Sequence, residues 1–382
     1  MLRIGVPRET APGENRVAMV PDVAAKLAQS GFEVVVQAGA GGAASHTDAA
    51  YRDAKATIAP DARSVFERAD VVLKVRAPMQ IAGGGHEAGL LKEGSVLLAF
   101  LGRDRESDLA RRLTARGIRA FSMELVPRIS RAQKMDALSS MSAAAGYKAA
   151  LLAAGSLGKF FPLLMTAAGT IAPARVFVIG AGVAGLQAIA TSRRLGAVVE
   201  AFDVRPAVRE EVQSLGATFV APDLVAEAAV DKGGYARALT EDQQAREHKL
   251  LEERVKMNDV VITTAMIPGK PAPRLITADM VRQMRPGSVI VDLAAETGGN
   301  CELTRPGEKV VAHGVTIIGF LELAATLPTH ASQMYSRNIS ALFLHLVKDG
   351  KLEPDFEDEI TRESCLTRGA RPSEMAAARS GS

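Results

Sequence analysis

Residues 175–185 read RVFVIGAGVAG, a short apolar strand that runs directly into the glycines Gly180, Gly182 and Gly185, spaced as G-x-G-x-x-G. The next apolar run, VVEAFDVR, contains Asp203, eighteen residues after the third glycine. In this pattern the first glycine permits a tight turn, the second lets the backbone approach a pyrophosphate, and the third lets helix and strand pack closely. Together with the helix predicted by LQAIATSRRLGA, the pattern indicates a dinucleotide-binding unit whose acid holds the ribose hydroxyls.

Length and composition favour an ordinary two-domain globular protein. The chain has 382 residues, and single cores seldom grow past about 250–300 residues. It is 47% hydrophobic without any Trp, so its core must be aliphatic. Its 46 basic and 43 acidic residues form no basic stripe, which argues against a nucleic-acid partner. Cys301 and Cys365 have neither a disulfide pattern nor a metal-binding spacing, so we expect no metal and a reducing cytoplasm.

No targeting or membrane-spanning segment is expected. The start, MLRIGVPRE, enters a charged strand at once, which is unlike a signal peptide. No apolar run reaches the roughly 18–20 residues that a spanning helix needs. We therefore expect no transmembrane segment in this chain.

Apolar runs alternate with amphipathic stretches over the first third of the chain and again after the glycine pattern, which is typical of parallel-sheet α/β units. The fold class predicted is α/β, with two Rossmann-like doubly wound parallel-sheet domains joined by long helices and a cleft between them. The small-residue stretch 131–160 predicts closely packed helix. We expect an N-terminal domain of residues 1–135 plus 330–382, including a returning amphipathic helix at 334–348, and an NAD(H)-binding domain of residues 136–329.

Two connections stand out by their composition. The stretch MTAAGTIAPARV, residues 165–176, predicts a hairpin-like excursion that would reach a neighbouring subunit. Residues 221–244 form a long polar connection with Gly234 and Tyr235 near its centre. Loops of this length in compact domains are usually functional or disordered. A loop that closes over a ligand is one interpretation, and a surface insertion without a role is the other.

A polar stretch, PRISRAQKMDALSS at residues 127–140, lies between the two predicted domains. Gln133, Asp136 and Ser140 recur at helical spacing and would share one face of a helix. This face is either a hydrogen-bonding platform for the polar end of a cofactor or the solvated side of a capped helix start.

Two further polar stretches follow predicted strands, at the edge where open α/β sheets bind ligands. They are TTAMIPGKP after DVVI, and the stretch after SVI that holds Asp292 and Glu296. Either carboxylate is an acid–base candidate, or it merely caps neighbouring loops. None of the six histidines lies in a convincing strand-end position.

Four stretches together are more specific than a glycine pattern: RIGVPRE…GENRVA, VPRISRAQKMDALSSMSAAAGY, VIGAGVAGLQAIATSRRLGA and TTAMIPGKPAPRLIT. They resemble the alanine dehydrogenase and nicotinamide nucleotide transhydrogenase superfamily, up to about residue 365. The RISRAQ and GKPAP motifs closely resemble the NAD(H)-binding domain of proton-translocating transhydrogenase. The resemblance implies NAD(H) as cofactor, hydride transfer to NADP(H) bound on a partner subunit, and proton translocation by a separate membrane domain.

The resemblance also implies the residues of the site. The NAD(H)-contacting loop falls on Arg128, Gln133, Asp136 and Ser139, with Gln133 near the nicotinamide. Of these, Gln133, Arg128 and Asp136 are the catalytic candidates. The other cofactor-binding candidates are Gly180, Ala181, Gly182, Val183 and Gly185 in the glycine turn, Asp203, Val204 and Arg205 at the ribose, Gly234 and Tyr235 on the long loop, and Ala265 and Met266 beside the nucleotide.

The alanine dehydrogenase branch is the competing interpretation. Arg16 and Lys74 match the pair that grips pyruvate in that branch. However, Gly102 stands where that branch has a histidine, and Glu296 stands where it has a catalytic aspartate. Arg16 and Lys74 are therefore interpreted as inherited structural residues.

Physical chemistry favours the transhydrogenase branch. Oxidising an amino acid removes a proton from nitrogen, so a positioned base is expected. Moving a hydride between two nicotinamide C4 atoms transfers no separate proton and needs orientation and exclusion of water. A non-catalytic NAD-sensing module is the third hypothesis.

The transhydrogenase resemblance also implies the assembly. It implies a homodimer, with NADP(H)-binding and membrane-spanning transhydrogenase subunits as partners. The implied location is peripheral, on the cytoplasmic face of the inner membrane. A chain without a spanning helix resembles the form in which this domain is a separate subunit.

Overall fold

The computed structural model describes residues 1–81, 83–220, 241–267 and 270–367. Internal packing divides the chain into two units. Unit 1 comprises Met1–Met141 and Ala325–Ser382, and unit 2 comprises Ser142–Ala324. Each unit is built on a largely parallel sheet with helices, so the predicted fold class is confirmed. The expected domain limits stay a prediction about independently folding parts.

The described residues form short strands and helices in alternation. The strands are β1 Arg3–Val6, β2 Glu33–Gln37, β3 Thr57–Ala59, β4 Val71–Leu73, β5 Val96–Ala99, β6 Arg119–Ser122, β7 Leu164–Thr166, β8 Gly169–Ile171, β9 Arg175–Ile179, β10 Val198–Phe202, β11 Thr218–Phe219, β12 Val260–Thr263, β13 Val289–Asp292, β14 Lys309–Ala312, β15 Val315–Ile318, β16 Val347–Lys348 and β17 Lys351–Leu352. The α-helices are α1 Pro21–Gln29, α2 Asp48–Asp53, α3 Ala62–Arg68, α4 Asp108–Ala115, α5 Ala137–Ser156, α6 Val183–Arg194, α7 Arg209–Ser214, α8 Glu241–Met257, α9 Ala278–Gln283, α10 Pro328–His345 and α11 Glu359–Ser364. The 3-10 helices are Gly42–Ala44, Glu87–Gly89, Met123–Leu125, Ser130–Met135, Pro206–Val208, Ala295–Thr297 and Leu323–Thr326.

Unit 1 holds a six-stranded sheet with the order β3-β2-β1-β4-β5-β6, in which all neighbouring strands are parallel. This is the doubly wound order in which the chain starts at the centre and reverses direction. Strands β4 and β5 are buried along their whole length. Such continuous apolar strands are typical of parallel sheets covered on both faces.

Helix α10 returns to unit 1, as the sequence predicts. The Tyr335 hydroxyl donates to the Lys74 carbonyl oxygen at 2.8 Å, and Asn338 Nδ2 donates to the Lys134 carbonyl oxygen at 2.9 Å. The helix begins at Pro328, six residues earlier than expected. Proline fits the first helical position because its missing N–H is not needed there.

Unit 2 holds a seven-stranded sheet with the order β11-β10-β9-β12-β13-β15-β14. Its central strands alternate between two cores. Val176, Val178 and Ile262 pack with residues of α5, α6 and α7, whereas Phe177 and Val261 pack with residues of α8 and α9. Because successive strand residues point to opposite faces, this alternation places helices on both sides of the sheet.

Helices α5 and α6 approach closely in unit 2, as the small-residue composition predicts. A Cβ built on Gly146 would lie 2.0 Å from the Ala184 carbonyl oxygen. No side chain larger than hydrogen fits at that position without moving a helix. Among the described residues, none of the helices combines the length and the apolarity required to cross a membrane.

Three local expectations have clear outcomes. The predicted excursion is a hairpin, because β7 and β8 pair antiparallel. The edge strand β14 was not predicted, because its exposed and half-buried residues carry no core signal. Residues 221–240 of the predicted long loop lie outside the described residues, and residues 241–244 belong to α8 rather than to a loop.

The predicted polar face of Gln133, Asp136 and Ser140 is wrong in its geometry. Residues 130–135 form a 3-10 helix, and Asp136 leaves the helical conformation with φ −74° and ψ 84°. Helix α5 then starts at Ala137. The spacing argument assumed one continuous helix, whereas the chain turns at Asp136.

Candidate nucleotide-binding site

The glycine turn between β9 and α6 is shaped by the protein's own packing. Gly180 has φ +95°, which favours glycine, and a Cβ there would lie 2.6 Å from Thr264 Oγ1. A Cβ on Gly185 would lie 1.8 Å from the Gly180 carbonyl oxygen. Gly180 and Gly185 are therefore required for the turn itself and for the contact between strand and helix.

Gly182 is different, because the structure leaves room for a side chain there. Its φ of −76° suits any residue, and in the described part of the chain the single heavy atom within 4 Å of an added Cβ is Arg205 Nη2 at 3.9 Å. Gly182 is the N-cap of α6, and no described side chain caps the helix. The unpaired N–H groups and the dipole of a helix N-terminus bind anions. An open backbone at this place fits a pyrophosphate.

Asp203 fastens the end of β10 to the glycine turn. Its Oδ2 accepts from the Ala181 N–H at 2.7 Å and from Arg205 Nη2 at 2.9 Å. Its Oδ1 accepts from the Arg205 N–H at 2.8 Å and from Arg205 Nε at 2.9 Å. The carboxylate is thus held in a bidentate pair by Arg205. Ribose hydroxyls would have to replace the guanidinium, so the ribose role of Asp203 stays a prediction.

Glu247, on helix α8, adds a second carboxyl to this neighbourhood. Burial raises its pKa to about 7, and the negative charge of Asp203 adds to the shift. Sequence reasoning missed this residue, because it lies on a polar helix with no motif. Its proximity to Asp203 depends on how α8 packs on the sheet.

The backbone after β12 is held by two polar side chains. Thr264 Oγ1 donates to the Gly180 carbonyl oxygen at 3.0 Å, which ties the ends of β9 and β12 together. Asn300, fully buried, exchanges hydrogen bonds with both backbone groups of Ala265, at 2.8 and 3.1 Å. Met266, the next predicted site residue, is 49% exposed. Sequence reasoning did not single out Asn300, although the two glycines before it signal a turn at a strand end.

Asp292 is a structural residue. Its side chain is 1% exposed and accepts four hydrogen bonds within unit 2. The donors are Thr263 Oγ1, Thr304 Oγ1 and the N–H groups of Ala294 and Cys301, at 2.7–3.0 Å. A carboxylate with all four lone-pair positions occupied has no position left for a substrate proton.

The polar segment of unit 1 begins helix α5. Asp136 accepts from the Ser139 N–H at 2.9 Å and from Ser139 Oγ at 2.6 Å, which is a helix cap. The side chains of Arg128 and Gln133 lie on the surface of the chain. The capped-helix interpretation therefore holds for Asp136 and Ser139, and it leaves the exposed Arg128 and Gln133 for the cofactor role.

Asp358 anchors this segment to the C-terminal part of unit 1. Its carboxylate accepts from Arg131 Nη1 at 2.9 Å and contacts His345 Nε2 at 2.9 Å. Burial alone would raise its pKa, but the hydrogen bonds from Arg131 and His345 lower the pKa to about 2. The segment is thus held at Arg131 by this carboxylate and at Lys134 by Asn338.

The predicted site residues are divided between the two units. Arg128, Gln133, Asp136 and Ser139 belong to unit 1. Within unit 2 the structure brings together the glycine turn, Asp203 and Arg205, and it joins Ala265 to the same sheet edge through Thr264. Val183 is 43% exposed on the first turn of α6, and Val204 is half-buried. Gly234 and Tyr235 lie outside the described residues.

The residues that match the alanine dehydrogenase pair are occupied by carboxylates of the chain itself. Lys74 is fully buried, and its Nζ lies 3.3 Å from Glu9 and 3.2 Å from Glu87. Arg16 forms an ion pair through two of its nitrogens with Glu14 at 2.5–2.7 Å. These ion pairs compensate the two buried cations without any ligand.

Neither departure from the alanine dehydrogenase pattern is replaced by a free acid–base group among the neighbours that the structure describes. The Gly102 N–H donates to Glu124 Oε1 at 3.1 Å, and Glu124 also accepts from Leu101 and Ser122. Glu124 is therefore engaged in holding this loop. Glu296 is exposed at the end of β13.

Comparison with known proteins decides the family. Two family models match the chain, the alanine dehydrogenase/PNT N-terminal domain over residues 5–145 and the alanine dehydrogenase/PNT C-terminal domain over residues 149–371. The chain belongs to the alanine dehydrogenase/PNT family. Within this family it is 49% identical over 370 residues to the first of the separate chains that make up the NAD(P) transhydrogenase alpha subunit of Rhodospirillum rubrum, covering 96% of each chain.

Two further family members place the chain on the transhydrogenase side. A solved transhydrogenase from Sinorhizobium meliloti is 42% identical with a TM-score of 0.84, covering 96% of this chain and 99% of that one. Alanine dehydrogenase 2 of Staphylococcus aureus is 32% identical over 315 residues, covering 82% of this chain and 76% of that one. The expected relation to transhydrogenase alpha subunits is confirmed, and the alanine dehydrogenases are more distant relatives.

Proposed function

We propose that this chain binds NAD(H) and exchanges hydride with NADP(H) held on a partner subunit, as the alpha component of a proton-translocating NAD(P) transhydrogenase. The observation that carries the proposal is the 49% identity to a transhydrogenase alpha subunit over 96% of both chains. The open backbone at Gly182, at the uncapped start of α6, supports nucleotide binding independently.

The chemistry asks the chain to bind and orient rather than to move a proton. When bound, NADH supplies the hydride from its nicotinamide C4 atom. The first turn of α6, with Ala181, Gly182 and Val183, would hold the pyrophosphate through its N–H groups. Gln133 and Arg128 would orient the nicotinamide end, and the cap formed by Asp136 and Ser139 would hold that segment in place.

A preference for NAD(H) over NADP(H) follows from the charges at the end of β10. Asp203 is buried, and its carboxylate would repel a 2′-phosphate. Arg205 is half-buried and pairs with Asp203, so its positive charge is already compensated. Ala265 and Met266 would contact the nucleotide from the neighbouring strand end, and Gly234 and Tyr235 would close over it.

The assembly that we propose is a homodimer with NADP(H)-binding and membrane-spanning partner subunits, on the cytoplasmic face of the inner membrane. The hairpin β7–β8 supports the dimer, because its apolar side chains are exposed. Met165 is 81% exposed, and Phe160 and Leu163 beside it are each 52% exposed. Apolar groups that cluster on a projecting hairpin are typical of a protein–protein contact.

The dimer is tested by changing the most exposed of these side chains. We expect Met165→Asp to convert a dimer into a monomer in sedimentation equilibrium, because a charge would be buried in the contact. Val311→Asp is the matched control, since Val311 is 70% exposed on a different part of unit 2. A dimer that persists in Met165→Asp would remove the hairpin from the interface.

The function is tested by mixing the purified chain with the NADP(H)-binding domain of a transhydrogenase. We expect NADH-dependent reduction of NADP⁺ in the mixture and no oxidation of NADH by pyruvate and ammonia. Gln133→Ala and Asp203→Ala should each lower the transfer rate. Oxidation that depends on pyruvate and ammonia would favour the alanine dehydrogenase alternative. NADH binding without hydride transfer would favour a sensing module.

A further inference from the structure

The side chain of Asn300 bonds the backbone after β12 through three hydrogen bonds. Its Nδ2 donates to the Ala265 carbonyl oxygen at 2.8 Å and to the Pro273 carbonyl oxygen at 2.9 Å. Its Oδ1 accepts from the Ala265 N–H at 3.1 Å. The two bonds to Ala265 form a closed amide pair. Such a pair fixes both the position and the orientation of one peptide segment.

The backbone of Asn300 extends the same contact. Its carbonyl oxygen accepts from the N–H groups of Leu275 and Ile276, at 2.8 and 3.0 Å. One buried residue therefore holds Ala265 directly after β12 and also residues 273–276 before α9. A loop tied at both ends by one residue keeps its ends at a fixed separation.

The turn that presents Asn300 is itself built for this placement. Gly298 and Gly299 have φ values of +104° and +84°, and a Cβ on Gly299 would lie 2.8 Å from Asp292 Oδ2. The Asp292 carboxylate accepts from the N–H groups of Ala294 and Cys301, on both sides of this turn. Asn300 is thus held rigidly at the end of β13.

Thr264 supplies a second tie, on the opposite side of Ala265. Its hydroxyl donates to the Gly180 carbonyl oxygen, which belongs to the glycine turn. The ends of β9, β12 and β13 are therefore connected in one chain of contacts through Gly180, Thr264, Ala265 and Asn300.

We propose that Asn300, together with Thr264, positions the backbone of Ala265 against the nucleotide. The inference rests on the proposed function, because Ala265 is a site residue by family resemblance. Neither side chain touches the reacting atoms. Both fix the place where Ala265 meets the cofactor relative to the glycine turn. Sites held by such supporting bonds lose function when the support loosens, even though the contact residues are intact.

The test compares Asn300→Ala with Asn258→Ala in the full chain. Asn258 is also fully buried in unit 2, and its Nδ2 donates to the Arg254 carbonyl oxygen at 2.8 Å, but it lies before the start of β12, at the opposite edge of the sheet. Both variants should lose stability in urea unfolding. We expect only Asn300→Ala to raise the NADH dissociation constant, about tenfold, and to lower hydride transfer at saturating NADH. Equal effects of the two variants, or none in Asn300→Ala, would overturn the inference.

Thr264→Val keeps the fold testable, because valine has the same shape and lacks only the hydroxyl. We expect it to weaken NADH binding by a few-fold and Thr264→Ser, which keeps the hydroxyl, to restore it. Thr264→Val with wild-type binding would contradict the positioning role. The wild-type chain measured in parallel separates the two hypotheses. If the wild-type chain binds no NADH, the proposed function is wrong. If it binds NADH and the variants match it, only the positioning role is wrong.

Discussion

Gly182→Ala and Gly185→Ala separate the requirements of the ligand from those of the fold. The glycines are three residues apart on the same turn, and the structure gives them opposite surroundings. A Cβ on Gly185 would lie 1.8 Å from the Gly180 carbonyl oxygen, whereas a Cβ on Gly182 would meet Arg205 Nη2 at 3.9 Å and no other described atom within 4 Å.

The magnitudes follow from these distances. In Gly185→Ala, helix α6 must move away from the glycine turn to restore an ordinary contact, and overpacking of this kind costs about 3 kcal/mol of unfolding free energy. In Gly182→Ala the backbone is already in an ordinary conformation, so the free energy of unfolding should change by less than about 0.5 kcal/mol.

The effect on binding runs the other way. The methyl group of Gly182→Ala would stand where the pyrophosphate approaches the first turn of α6. Loss of two charge-assisted hydrogen bonds costs about 3 kcal/mol, which is about 100-fold in the dissociation constant. Urea unfolding followed by circular dichroism measures the first quantity, and NADH fluorescence titration measures the second. A Gly182→Ala chain that binds NADH as tightly as wild type would refute this placement of the pyrophosphate.

Three further substitutions test the same sheet edge. Asp203→Asn should raise the NADH dissociation constant at least tenfold and narrow the preference for NADH over NADPH in calorimetric titrations, and an unchanged preference would contradict the role of this carboxylate. Asp292→Asn turns an amide nitrogen toward two donors and should cost about 3 kcal/mol in urea unfolding, whereas unchanged stability would show that the four bonds matter little. Glu247 keeps its proton up to about pH 7 in the folded chain but releases it near its ordinary pKa of 4.5 when unfolded, so stability should fall as pH rises from 4.5 to 7. Glu247→Gln should flatten that slope in urea unfolding across this range, and an unchanged slope would assign it to other groups.

The sequence predicted the parts of the fold that depend on local pattern. Apolar runs such as VFVIG and VVLKV predicted buried parallel strands, because strands covered on both faces have no polar side. The spacing of Gly180, Gly182 and Gly185 predicted the turn, since each glycine answers a local requirement. The edge strand β14 was missed, because its residues are partly exposed and its pairing depends on β15.

The site was less predictable, because side-chain contacts between distant segments leave no local pattern. The pairing of Asp203 with Arg205 depends on the local turn after β10 and reverses the simple picture of an acid open to ribose. The contact of Asn300 with Ala265 joins residues 35 positions apart in the chain. The turn at Asp136 broke a helical spacing argument, since a cap residue ends one helix and starts another.

The central claim is that hydride passes directly from NADH on this chain to NADP⁺ on a partner. The measurement that tests it most directly uses NADH with two deuterium atoms at C4, mixed in ordinary water with this chain, NADP⁺ and the NADP(H)-binding domain of a transhydrogenase. Mass spectrometry of the NADPH formed should find one deuterium in every molecule, because direct transfer exchanges nothing with solvent. NADPH without deuterium, or no NADPH while NADH is bound, would contradict the account.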